Sequence, residues 1–175
     1  AAPDAVGSGG RMPLHVVSAA ERHEELRQRV LEAHTAAAGT ADADGMLPLA
    51  LALTSGAADA AAIALVVAAP DAVGFDGRMS LHLVIAAKRS EELWKRVLEL
   101  HPAAAATGDA DGKYPLHLAA SAGANKEALS VVLEAHAAAA SMVDASGKNP
   151  FELLSSSASD AAASLLFKAS GKPAR

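Results

Sequence analysis

The chain has 175 residues, 46 of them alanine, with no cysteine, five aromatic residues and a formal net charge of −5. That length suits one domain or one short repeat array and needs no metal or disulfide staple. So few aromatics argue against an aromatic-rich β-sandwich or a base-stacking single-strand binder, and the acidic balance opposes binding to a phosphate backbone. The apolar half of the composition is mostly Ala, Leu and Val, which points to an all-α fold. The absence of cysteine removes disulfide frameworks and thiolate zinc sites.

Internal repetition organises the chain. Residues 3–45 and 70–112 align without a gap and agree at 30 of 43 positions. A smaller period lies inside that one, because glycines at 10, 45, 77, 112 and 147 each open a Gly-x-x-Pro-Leu pattern or a close variant. Their spacings of 35, 32, 35 and 35 residues are those of a repeat architecture.

In chain order, residues 1–9 copy the stretch before Gly77 and read as the end of a preceding repeat. This predicts further repeat sequence upstream, and the missing initial Met suggests a processed or trimmed chain. Residues 10–44 form the first unit. Pro13 is placed at a first helical position, where its missing N–H costs nothing, and a second amphipathic helix carries Leu26, Val30 and Leu31. Residues 45–76 repeat the plan with Pro48 but contain no Lys or Arg. Between Met46 and Pro70 the only charge is Asp59. The apolar run 60–69 is ten residues, half of what a membrane span needs.

Residues 77–111 form the third unit, with Leu93, Val97 and Leu98 matching the first. Residues 112–146 form the fourth and residues 147–175 a polar, serine-rich fifth that reads as a C-terminal cap. Lys168, Gly171, Lys172 and Pro173 supply its helix-stop signals. Turns such as Asp42-Ala-Asp44-Gly45 and Asp109-Ala-Asp111-Gly112 join the units, their Asp side chains bonding to the backbone.

These motifs resemble the ankyrin repeat. The best match runs Gly112-Lys-Tyr-Pro115-Leu116-His117-Leu-Ala-Ala, followed by Gly123 and the Val131-Val132-Leu133 helix. The repeat signature comprises Gly10, Pro13 and His15; Gly45 and Pro48; Gly77 and His82; Gly112, Pro115 and His117; and Gly147 and Pro150. The resemblance implies a solenoid of stacked helix-turn-helix units with β-turn fingers, and an intracellular location in the cytoplasm or an organelle such as a chloroplast. It further implies that the signature histidines hydrogen-bond the backbone of neighbouring turns. The family's capping Thr is replaced by Met12, Leu47, Met79, Tyr114 and Asn149. Only Asn149 among these is a capping residue, so the other first helices forgo about 1 kcal/mol each. Ala50 and Glu152 stand where the other units carry the signature histidine.

Chemistry-bearing patterns are sparse. His34, His101 and His136 recur at the ends of second helices, and equivalent positions of adjacent units lie about 10 Å apart, which is too far to share a metal ligated near 2 Å. The Asp-x-Asp-Gly turns lack the other ligands of a calcium loop, and Gly108 to Lys113 is one residue short of a phosphate loop. Glu24, Glu25, Glu91 and Glu92 suit helix N-termini better than acid–base catalysis. The expectation is therefore no catalysis, cofactor, metal or small-molecule substrate. The chain would instead be a scaffold presenting a concave surface to another protein or multi-subunit complex.

Candidate contacts are Arg11, Met12, Arg78, Met79, Lys113, Tyr114, Lys148 and Asn149 at the fingers, with Trp94 as an anchor on the third unit's second helix. Two alternatives are a permanent accessory subunit of a large assembly, which the charge-poor second unit favours, and the regulatory segment of a longer enzyme.

Overall fold

The computed structural model describes residues 7–19, 24–74, 76–156 and 158–171. Among the described residues every regular element is helical. Helices α1 (Pro13–Ser18) and α2 (Glu24–Ala33) form the first pair, and α3 (Pro48–Thr54) and α4 (Asp59–Ala68) the second. The third pair is α5 (Ser80–Ala86) with α6 (Glu91–Leu100), and the fourth is α7 (Pro115–Ser121) with α8 (Lys126–Ala135). A 3-10 turn, Pro150–Leu153, and α9 (Asp160–Ala169) complete the chain. The expected first helix of the fifth unit is thus only a 3-10 turn. Residues 1–6, the first part of the copied opening, lie outside the described residues, as do Arg22, Lys172 and Pro173.

Two rows of helices lie side by side. In one row α1, α3, α5 and α7 each contact the next, and α7 meets the turn Pro150–Leu153. In the other, α2, α4, α6, α8 and α9 do the same. The repeat arithmetic explains the register: Leu14, Leu49, Leu81 and Leu116 occupy equivalent first-helix positions and are all buried. Leu65, Val97, Val132 and Leu166 do likewise in the second row. Leu26, expected on the buried stripe of α2, is instead exposed. Its helix ends the described second row and packs against α4 on one side only.

Alanine fills the space between the rows. Each of the 3-10 turns Thr35–Gly39, Pro102–Ala106 and Ala137–Ala140 buries two alanines, and residues such as Ala52, Ala62, Ala119 and Ala120 are buried where helices approach closely. Side chains this small allow crystal-like packing with short interhelical distances. The second unit lacks such a turn. Eight residues separate the end of α4 from Gly77, against eleven at the equivalent place in the other units, which accounts for the 32-residue spacing.

Helix starts follow two patterns. Three second helices, α6, α8 and α9, are capped by side chains, whereas α4 starts at Ala58 without one: Ser90 Oγ accepts from Leu93 N–H at 3.2 Å, Asn125 Oδ1 from Ala128 N–H at 2.8 Å and Ser159 Oγ from Ala162 N–H at 3.2 Å. First helices use the signature histidine in reverse. The N–H groups of Met12, Met79 and Tyr114 donate to Nδ1 of His15, His82 and His117 at 3.2, 3.3 and 3.2 Å. The first turn also tightens, with His15 and His117 N–H bonded to the carbonyls of Met12 and Tyr114 at 2.9 Å. Two N–H groups at those starts are therefore satisfied without a capping Thr. Asn149 does cap, accepting from Glu152 N–H at 3.0 Å while Glu152 Oε2 accepts from Asn149 N–H at 2.9 Å.

Candidate functional site: the finger edge and its groove

The turns before the first helices form a row of short fingers. Each is closed by a backbone bond, such as Asp42 N–H to Met46 O at 3.0 Å and Asp109 N–H to Lys113 O at 3.0 Å. Inside the finger, Asp42 Oδ1 accepts from the N–H groups of Asp44 and Met46, and Asp109 and Asp144 repeat the arrangement. Asp42 is buried, which alone would raise its pKa. The N–H of Met46, the Arg11 guanidinium and the N–H of Asp44 outweigh that and hold it below the usual carboxylate range. Asp144 is lowered as well, first by the Ser146 hydroxyl and then by the N–H of Lys148.

The first and second, third and fourth, and fourth and fifth fingers are bonded to each other. Ala43 N–H donates to Gly9 O at 2.9 Å, Ala110 N–H to Asp76 O at 2.8 Å and Ala145 N–H to Asp111 O at 2.8 Å. Side chains follow the same direction. Arg11 Nε donates to Asp42 Oδ2 at 3.1 Å, and Arg78 Nε lies 3.1 Å from Asp76 and 3.6 Å from Asp109. The finger arginines thus latch onto carboxylates of their own or the next finger.

Histidine supplies a further link. With Nδ1 accepting a backbone N–H, the His82 ring carries its proton on Nε2 and donates to Lys113 O at 3.1 Å. His15 and His117 face the equivalent finger carbonyls, although their Nε2 atoms make no direct hydrogen bond. Burial lowers the pKa of all three rings, keeping them in the neutral form this bonding needs. His101 sits elsewhere: its Nδ1 donates to Pro70 O at 2.6 Å and its Nε2 lies 3.3 Å from Asp71. Among the described residues no three His, Asp or Glu side chains converge as a metal-ligand group. No helix among them is long and apolar enough to cross a membrane.

The predicted contact residues divide by burial. Arg11, Arg78, Lys113 and Lys148 lie at the finger edge with solvent-accessible side chains. Met12 and Tyr114 are half-buried against the core, Tyr114 stacking on His136 with ring centroids 6.3 Å apart. Met79 and Asn149 are buried, the latter as a cap. Trp94 is also buried, only 4% exposed, because its helix turns that face toward the neighbouring pair. Its position on an amphipathic helix left both faces open in the sequence.

Two features have no counterpart in the sequence reading. Asp59 and Ala57 are gripped by Arg89 of the next pair, and a half-open groove of about 340 Å³ lies between the second and third units. Leu47, Ala50 and Leu53 wall the groove from the α3 side and Leu83 and Ala86 from α5, with Asp44, Asp76 and Arg78 at its rim. The signals for it were Ala50 in a histidine position and the short 32-residue spacing. No protein-family model matches the chain, and no curated protein matches it.

Proposed function

We propose that this chain is an ankyrin-like solenoid of five units and acts as a non-catalytic scaffold that binds another protein along its finger edge. The reading is supported by one observation above all. Backbone bonds join the first finger to the second and the third to the fourth and fifth, and Arg11, Arg78, Lys113 and Lys148 sit along this edge at positions one repeat apart, or two where Met46 replaces the cation. A rigid edge loses little conformational entropy on binding, so variable side chains mounted on it discriminate partners efficiently. The repeated Gly-x-x-Pro-Leu-His motif supports the ankyrin-like assignment.

The test is affinity capture on the immobilised chain, with the charge-reversal variants Arg11→Glu, Lys113→Glu and Lys148→Glu run in parallel. The expected result is a stoichiometric partner lost from the variants while their helical circular dichroism is unchanged. A chain that retains no partner, or one whose partner ignores all three substitutions, overturns the reading.

A second reading, a permanent subunit of a larger assembly, is favoured by the outer face of α4. Ala60, Ile63, Ala64 and Val67 form an apolar stripe there, with Val67 59% exposed. The equivalent positions of α6 are Glu92, Lys95, Arg96 and Glu99. Contiguous apolar surface of this kind marks an interface. Val67→Glu should release the chain from a native complex if this face is docked.

A further inference from the structure

We propose that the groove between the second and third units is a side-chain pocket for an extended protein segment, taking an apolar residue that is followed or preceded by Lys or Arg. This rests on the binding reading above and names the chemistry of one subsite within it.

The groove arises from a local loss. In the first, third and fourth units an imidazole at the third helical position lies fully buried beneath its own finger. In the third unit that ring bridges to the next finger through Lys113 O. At the same place α3 carries Ala50, so the ring volume is missing and Leu47 N–H has no imidazole acceptor. The same junction lacks the 3-10 turn with two buried alanines that follows α2, α6 and α8. Two independent departures from the repeat therefore fall at one interface, and the groove lies there.

Its lining sets the kind of occupant. Leu47, Ala50, Leu53, Leu83 and Ala86 make the walls apolar, and about 340 Å³ is ample for a Leu, Met or Phe side chain. The rim is acidic. Asp44 is 74% exposed and Asp76 51% exposed, and residues 41–76 hold no Lys or Arg. Two cations reach this rim: Arg78 is drawn toward Asp76 and Asp109, so its charge is already balanced, and Arg11, bonded to Asp42, approaches Asp44 only at 3.9 Å and leaves that carboxylate exposed. A base beside the apolar residue would meet Asp44 at the edge of the pocket, where its long apolar stem also covers wall surface. Acidic segments would be repelled from the same rim.

The test uses the full chain and a phage-displayed library of random short peptides, followed by fluorescence-anisotropy titration of the enriched peptides. Selection should enrich Leu, Ile, Met or Phe next to Lys or Arg. Ala50→His restores the imidazole and fills the finger end of the groove, and should weaken binding by about tenfold or more. Should Ala50→His fail to fold, Ala86→Arg blocks the groove from an exposed position with the same expected loss. Asp44→Asn should remove the preference for a basic neighbour while leaving apolar selectivity in place.

Enriched peptides that are acidic, or that bind Ala50→His and Ala86→Arg as well as the parent, overturn the pocket. If such peptides are lost from Lys113→Glu and Lys148→Glu instead, the scaffold reading survives without the pocket. If no peptide is enriched at all, both fail. Concentration-dependent self-association abolished by Ala86→Arg would show a second copy as the occupant and would also overturn it.

Discussion

Arg89, in the loop between α5 and α6, reaches across to Asp59 at the start of α4, thirty residues earlier. Its Nε donates to Asp59 Oδ1 at 3.1 Å, its second nitrogen reaches the same oxygen, and that nitrogen also donates to Ala57 O at 2.7 Å. Ser90 Oγ completes the set, donating to Asp59 Oδ2 at 2.9 Å. Asp59 is the only charge between Met46 and Pro70, and it is held by the next unit. These hydrogen bonds, Arg89 first, hold its carboxyl below the usual carboxylate range. The pair also sits at the unit junction that lacks a 3-10 turn, and it fastens the second unit to the third there.

Removing this fork should therefore weaken the whole array. Arg89→Ala is expected to cost roughly 1–2 kcal/mol, at the low end for charge-assisted bonds because the pair is partly exposed. Arg89→Lys should recover only part of it, since an ammonium cannot fork to Asp59 and the Ala57 carbonyl together. Urea unfolding midpoints at constant slope measure both, and a midpoint unchanged in Arg89→Ala would refute the role.

Acid should destabilise the chain in two stages. His82 has a pKa lowered from 6.5 by burial, and His15 and His117 share that direction. Such groups bind fewer protons folded than unfolded, so their contribution is complete above about pH 6.5 and erodes as pH falls toward the folded value. Asp42, Asp59 and Asp144 are also lowered, and their contribution persists down to about pH 4 and is lost below that. His82→Gln should be less stable at pH 7.5 yet show a shallower fall in Tm between pH 6.5 and pH 5. An identical slope in the two proteins would remove His82 from the first stage.

Two glycine substitutions separate finger stacking from turn conformation. Gly77 and Gly147 both have positive φ, +75° and +78°. A Cβ on Gly77 would meet Ala110 N at 2.7 Å, the atom that bonds the neighbouring finger, whereas one on Gly147 would meet open space. Gly147→Ala should cost about 1–2 kcal/mol from left-handed strain alone, and Gly77→Ala roughly 1–2 kcal/mol more. Equal losses by thermal melting would mean that the fingers do not touch as described.

Trp94, the sole tryptophan, tests a core role against a contact role. Buried between α6 and its neighbours, it should cost about 3–5 kcal/mol when replaced by Ala. Its fluorescence should be blue-shifted in the folded chain and move red only on unfolding. Strong quenching of the folded chain by dilute acrylamide would contradict burial.

The sequence alone carried the period, the helix pairs, the Asp-bonded turns and the all-helical class, because each of these is written in neighbours a few residues apart. Gly, Pro and Asp act on their own backbone, and apolar spacing shows which helix face turns inward. It also marked the second unit as unusual, through Ala50, the 32-residue spacing and the lone Asp59. Tertiary structure decided what those marks mean. The burial of Trp94 and Met79, the histidine bridge to the next finger, the Arg89–Asp59 fork and the groove all join residues about one repeat apart. Contacts at that range depend on how adjacent units stack, and no local propensity encodes that. The 175 residues and 46 alanines that open the sequence find their physical sense there: small side chains let the units approach, and where an alanine replaces an imidazole they leave a space between them.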